Sequence, residues 1–318
     1  MDQLPTQTGW ERELVTKLAQ SNLNEARAKR RWSIFFKLIW LAIALAIFAA
    51  AMGWIGKASS GSERVGRHTA LVKLEGEIAD GGKASAENIN AALAAAFKDP
   101  DSVAVVLNIN SPGGSPVQSA RIYNEIKRLR KDYQDKPIYV VVDELCASGG
   151  YYVAAAADKI FVDGSSLVGS IGVIYQGFGA DKAMEKLGIE NRTVTAGENK
   201  AFMDPFAPMK PEHKAHLEAM LADVHQQFIK AVKEGRGSRL KDNTPGLFSG
   251  LIWSGNKAID NGLVDGLGTV DSVARDIIKA EDLVDYTIEE NSFDKLAKRL
   301  GMSFGAGIIQ AVNRTSWK

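Results

Sequence analysis

This 318-residue chain predicts an α/β fold built on a parallel sheet, preceded by one membrane-crossing helix. Two patterns carry that expectation. From residue 71 onward, short apolar strands alternate with helical stretches, and parallel strands need such crossovers. Nearer the start, Leu38 to Gly56 reads LIWLAIALAIFAAAMGWIG, nineteen residues without a charge. A helix needs roughly 20 apolar residues to cross a bilayer core.

Taken in order, residues 1–32 read as a cytoplasmic segment and 33–56 as a signal anchor. Trp32, Trp40 and Trp54 lie near the ends of the apolar run, where amphipathic rings favour the interface. Arg27, Lys29, Arg30, Arg31 and Lys37 precede or open it, and the following Lys57, Arg64 and Arg67 are sparser. The positive-inside rule then places the N-terminus in the cytoplasm and the rest across the membrane. A cleaved signal peptide would use the small residues Ala49–Ala51, but its n-region would be unusually long. Residues 57–70 are small and polar, a linker.

The expected strands are Leu71–Leu74, Val103–Ile109, Ile138–Val142 and Ile160–Val162. The expected helices are Ala84–Phe97, Pro116–Arg130, Tyr151–Ala157 and residues 211–234, with two short ones within 257–280. In residues 211–234 the residues Leu217, Met220, Leu221, Val224, Phe228 and Val232 recur at helical spacing. Together these make one unit over 71–285. In the tail, 286–318, Phe293, Leu296, Leu300, Phe304 and Ile308 form a further amphipathic stripe. It suits packing on the core or a neighbour, or a membrane-surface or substrate-covering element.

Composition excludes several roles. A net charge of +1 argues against nucleic acid as a bulk electrostatic partner. The single cysteine, Cys146, rules out an intramolecular disulfide and a four-cysteine zinc site.

Two glycine-rich turns follow buried strands. In DELCASGGYYVAAAAD, 143–158, the residues around Ser148 lose almost all side-chain bulk. A strand, a tight turn and a helix is one way to expose a nucleophile, with helix-start N–H groups beside it. The turn Pro112-Gly113-Gly114 follows the strand Val103–Ile109. If the two strands are neighbours, a Gly113 or Gly114 amide and the Gly149 amide form an oxyanion hole. Simple packing turns would read the same way.

A serine hydroxyl needs a base. His68 falls in the linker. His213, His216 and His225 sit on the amphipathic helix after Pro211 without glycine-rich presentation; His213 and His216, three apart, could share a metal but read as a solvated helix face. Lys200, within GENKAFMDPF at 197–206, is the other option. A free lysine has a pKa of about 10.4 and becomes a useful base only when apolar surroundings disfavour its charge. Phe202, Met203 and Phe206 are near in sequence, although a surface loop lysine would look similar. Cys146, the rival nucleophile, precedes the glycine pair and reads as buried.

Four stretches, NSPGGS at 110–115, ASGGYYVAAAAD at 147–158, GSIGV at 169–173 and GENKAFMDPF at 197–206, together resemble the signal peptide peptidase A family in its short bacterial form. The resemblance runs from about residue 70 to 280. It implies a crotonase-like (Clp-protease-like) repeated ββα superhelix and a serine–lysine endopeptidase without metal or cofactor. It implies Ser148 as nucleophile, Lys200 as general base, Ser170 as the serine that positions the lysine, and Gly114 and Gly149 as oxyanion amides. It further implies peptide substrates, remnant signal peptides among them, and a homo-oligomer whose sites are shared between subunits. The setting would be the bacterial inner membrane, with the catalytic unit on the periplasmic side. The rivals are quality control of misfolded exported proteins, an acyl-CoA enzyme of the same superfold, and a non-catalytic membrane scaffold.

Overall fold

The computed structural model describes residues 9–51 and 66–288. They belong to two units, Met1–Glu63 with Asn291–Lys318, and Arg64–Glu290. In the first unit, α1 (Gly9–Ala51) is one helix of 43 residues. Its large apolar side chains from Trp32 to Leu45 are exposed, and Trp32 stacks on Phe36 and meets Phe35 edge-on. Among the described residues no helix is long and apolar enough to cross a membrane. The end of the apolar run, 52–56, and the stripe within 292–318 lie outside the described residues.

The second unit opens with β1 (His68–Glu75), α2 (Ala86–Lys98), β2 (Ser102–Ser111), α3 (Pro116–Asp132) and β3 (Ile138–Ala147). Then come α4 (Gly149–Ala154), β4 (Lys159–Val162), β5 (Leu167–Gly169), α5 (Asp181–Lys186) and α6 (Pro211–Arg236). The chain ends this unit with β6 (Ile252–Ser254), α7 (Gly255–Asp260), β7 (Gly266–Leu267), α8 (Val270–Ser272) and β8 (Leu283–Asp285). A π-helical turn, Val273–Ile278, follows α8 directly.

The main path of the sheet runs β6-β5-β3-β2-β1-β8. β3 divides its partners: Tyr139–Val141 pair with β4, and Leu145–Ala147 with β5. That division explains why β3 continues five residues past the expected end at Val142. The expectation of a wholly parallel sheet needs one correction, since β5 and β6 pair antiparallel. The four strands missed by periodicity, β5 to β8, have two or three residues each. They are too short for a pattern of period two to register. The helix expected over Tyr151–Ala157 is shifted to Gly149–Ala154, because Ala156 and Ala157 close tighter bonds to Val153 and Ala154.

β2 is buried on both faces, which is why it reads as an unbroken apolar run. Val105, Leu107 and Ile109 join the larger core with Ile122, Ile126 and Tyr151, while Val106 faces a smaller cluster with Leu71, Val141, Phe161 and Val273. Ser115 caps α3 by accepting from the Gln118 N–H, and Pro116 takes the first helical position, where no N–H is needed. At the other end of the unit, the buried Arg236 guanidinium donates to Gly262 O and to Asp265 Oδ2. Burial alone would raise the Asp265 carboxyl. Arg236 and Arg239 outweigh it and hold the group below its usual range.

His68 belongs to β1 and is buried, so the linker reading does not hold at that residue. Its Nε2 meets the Tyr286 hydroxyl at 3.1 Å, and that hydroxyl donates to Asp99 Oδ2. The network ties the first strand of the unit to the segment just after its last.

Candidate active site

Ser148 stands at the junction of β3 and α4 with φ 51° and ψ −122°. A non-glycine residue at positive φ is strained, by about 1–3 kcal/mol, and persists only where the surroundings enforce it. Here they do so on both sides: the Ser148 N–H donates to Gly169 O at 2.8 Å, and the Tyr152 N–H donates to Ser148 O at 2.9 Å. The Ser148 hydroxyl makes no capping bond, so Oγ stays available.

β2 and β3 are parallel neighbours, with Ser111 opposite Cys146. Their two glycine turns therefore meet at one sheet edge. A Cβ on Gly113 would lie 2.6 Å from Gly149 N and 2.7 Å from Ser148 Cβ, and one on Gly114 would lie 2.2 Å from Ile78 O. A Cβ on Gly149 would lie 2.4 Å from Ser119 Oγ and 3.2 Å from Gly114 N. These approaches exclude side chains and bring the Gly114 and Gly149 amides together beside Ser148. The Ser111 hydroxyl braces the turn, accepting from the Gly113 N–H and donating to Gly76 O.

Ser170 is the second serine at positive φ, 50°. Its N–H donates to Leu251 O at 2.8 Å. Gly114, Ser148, Gly149 and Ser170 line one cleft of about 440 Å³, with Tyr152, Val224 and Phe228 among its apolar walls. The Tyr152 and Phe228 rings lie 5.0 Å apart. A serine held at strained backbone dihedrals, two neighbouring glycine amides and an apolar wall suit attack on an amide carbonyl.

The chain does not bring Lys200 into this cleft. Lys200 is exposed, on a segment whose residues from 172 to 227 include none that is buried. The stretch around it docks on the start of α6. His213 Nε2 meets Asn199 Oδ1 at 3.1 Å, and Phe202 lies edge-on to His213 and His216. His225 meets Ile171 O at 3.1 Å. Twelve residues of helix separate His213 from His225, about 18 Å of rise. The Lys200 loop and the Ser170 loop are thus held at two distant points on one helix. The reading of His213 and His216 as a solvated face is corrected at His213, which is half-buried and bonded, while His216 is exposed.

Cys146 is fully buried, and burial pushes its thiol far above the ordinary range. It forms little thiolate and is no nucleophile. The two positive-φ serines left no local trace in composition, and neither did His225. Only the glycines flanking the serines hinted at backbone strain.

The cleft defines a hydrolase of the serine class. Residues 130–284 match the model of peptidase family S49. The chain is 33% identical to a putative signal peptide peptidase SppA of Enterococcus faecium, across 70% of this chain and 67% of that one. It is 36% identical to the putative protease MJ0651 of Methanocaldococcus jannaschii, across 66% of this chain and 68% of that one. A protein of Brucella abortus named Na(+)/H(+) antiporter NhaA is 45% identical over 210 residues, but the chain spans only 28% of its length. The chain belongs to peptidase family S49 and is a serine peptidase.

Proposed function

We propose that the chain is a membrane-anchored serine endopeptidase whose catalytic dyad is Ser148 of one subunit and Lys200 of the next. The separation of Lys200 from the cleft, set by α6, carries this reading. The lysine-bearing segment leaves Ile174, Phe178 and Val194 exposed at 74%, 79% and 94%, apolar surface that a second copy would cover. In the assembled site, neutral Lys200 takes the Ser148 proton as Oγ attacks the scissile carbonyl. Ser170 orients the amine, and the Gly114 and Gly149 N–H groups receive the developing oxyanion. The protonated lysine then passes its proton to the leaving amine, and water hydrolyses the acyl-enzyme.

The fork of β3 between β4 and β5 supports the repeated ββα superhelix of Clp-protease-like folds. Residues 33–56 would anchor the peptidase in the bacterial inner membrane. The basic residues before them favour a cytoplasmic N-terminus and a periplasmic catalytic unit. An apolar cleft beside the bilayer fits remnant signal peptides as substrates.

The test mixes Ser148→Ala chains with Lys200→Ala chains and follows cleavage of a synthetic signal peptide. Each variant alone should lose at least about 10³-fold in kcat. The mixed oligomer should recover a measurable share. Persistent inactivity would count against the shared site. Activity of Lys200→Ala alone would remove the lysine from the mechanism.

A further inference from the structure

The loop Gly169–Gly172 holds Ser170 in a conformation that its own backbone disfavours. Beyond the strand pairing of Gly169, three hydrogen bonds among the described residues help to fix it. The Ser148 N–H donates to Gly169 O, and the Ser170 N–H donates to Leu251 O. The third is the bond from His225 Nε2 to Ile171 O, at 3.1 Å. The first two belong to the backbone. The third is a side-chain bond, and it comes from α6.

The neighbours of His225 give that bond its consequence. Val224 precedes it, and Phe228 lies one turn further along. Both line the cleft that holds Ser148, and Ser170 and Gly172 line it from the loop. The His225 bond therefore joins the two walls and sets the gap between them. Ile171 is fully buried, so the loop cannot follow a displaced helix without exposing it.

We propose that His225 is a positioning residue of the peptidase: it fixes the Ser170 loop against α6 and so holds Ser170 where the base must arrive. The proposal rests on the reading of Ser148 as nucleophile and Ser170 as its companion. A carbonyl only accepts, so the proton sits on Nε2, and the ring donates whether Nδ1 is protonated or not. His225 takes no proton from the reaction. Glutamine, whose amide N–H reaches about as far as Nε2, should replace it. Leucine, a good helix former of similar bulk, should not.

The experiment compares the full chain with His225→Leu, His225→Gln and Ser148→Ala. It measures peptide cleavage across pH and hydrogen exchange of the Ser170 amide. In His225→Leu, the Ser170 amide should exchange faster. Its kcat should fall about 10- to 100-fold with KM little changed, the scale on which small displacements act. His225→Gln should restore both readouts, with a pH profile parallel to the wild type. Unchanged exchange in His225→Leu overturns the proposal, whatever the kinetics. A folded but inactive His225→Gln also overturns it, because imidazole chemistry itself would then be needed. Faster exchange at undiminished kcat overturns it too. If Ser148→Ala still cleaves, the nucleophile reading falls, and the exchange measurement still decides whether His225 holds the loop.

Discussion

The corner around Ser148 and the arm around Lys200 are built on opposite principles. At the corner, Ser148 and Ser170 sit at strained dihedrals, and glycines pack to within van der Waals contact of backbone. Each group is fixed from several sides. On the arm, the main contacts are local: the Ala180 N–H donates to Pro205 O, and Asn191 to Asp204. Glycines there, such as Gly188 and Gly197, have open space around them. On the proposed mechanism, the rigid half would hold the nucleophile and the oxyanion donors, which must be in place before substrate arrives. On that mechanism, the loose half would carry the one group that enters another chain's cleft. Preorganisation and assembly would thus fall to different residues.

The largest effect should come from placing the same substitution in both regions. Gly114→Ala puts a methyl 2.2 Å from Ile78 O at φ +146°. It should displace the amide beside Ser148 and lower kcat about 10²- to 10³-fold, the loss typical of one oxyanion donor. Gly197→Ala, at φ +103° in open space, adds only local backbone strain. It should lower the melting temperature of the Arg64–Glu290 unit by only a few degrees, since the strain can relax within the arm. Steady-state kinetics and thermal unfolding on the two variants decide this. Equal losses at both sites would erase the distinction between rigid corner and loose arm.

A smaller effect should fall on assembly. Val194→Asp adds a charge to an almost fully exposed apolar position. The unit should fold normally, but oligomers should dissociate, visible by light scattering, and cleavage should fall with them. Proteases should cut within 173–210 in the dispersed chain and be excluded in the assembled one. An active, assembled Val194→Asp would mean that this part of the arm faces solvent in the working enzyme.

How much of this was legible beforehand follows the same division. The corner could be read because its constraints are local and leave residues behind: glycines where side chains would collide, and a Ser-Pro start on α3. β2 could be read because burial on both faces demands an unbroken apolar run. The arm could not, because its apolar residues look like ordinary core in sequence although they are exposed in the fold. β5 to β8 escaped because two or three residues carry no period. His225 escaped because its partner is a backbone carbonyl 54 positions away, and a carbonyl has no sequence signature.

The smallest predicted effect lies far from both regions and tests whether the core is independent of them. Tyr286 donates to Asp99 and meets the buried His68. The Tyr286 bond is the main cause of an Asp99 carboxyl held below its ordinary 3.8. Burial, then the Asp99 bond, push the Tyr286 phenol above its ordinary 10.0. Both shifts mean that the folded state favours ionised Asp99 and neutral Tyr286. A depressed carboxyl stabilises above its unfolded value and loses that stability as pH falls. A raised phenol stabilises below its unfolded value and loses that stability as pH rises. Tyr286→Phe should therefore cost about 1 kcal/mol, the scale of one partly exposed hydrogen bond. The loss should be full between the two ordinary values and shrink outside them. Urea unfolding across pH measures it. Because Ser148 and its amides do not touch this network, kcat at neutral pH should stay at the wild-type value. A parallel fall in kcat would show that the rigid corner draws on the whole sheet for its rigidity, and not only on the bonds around it.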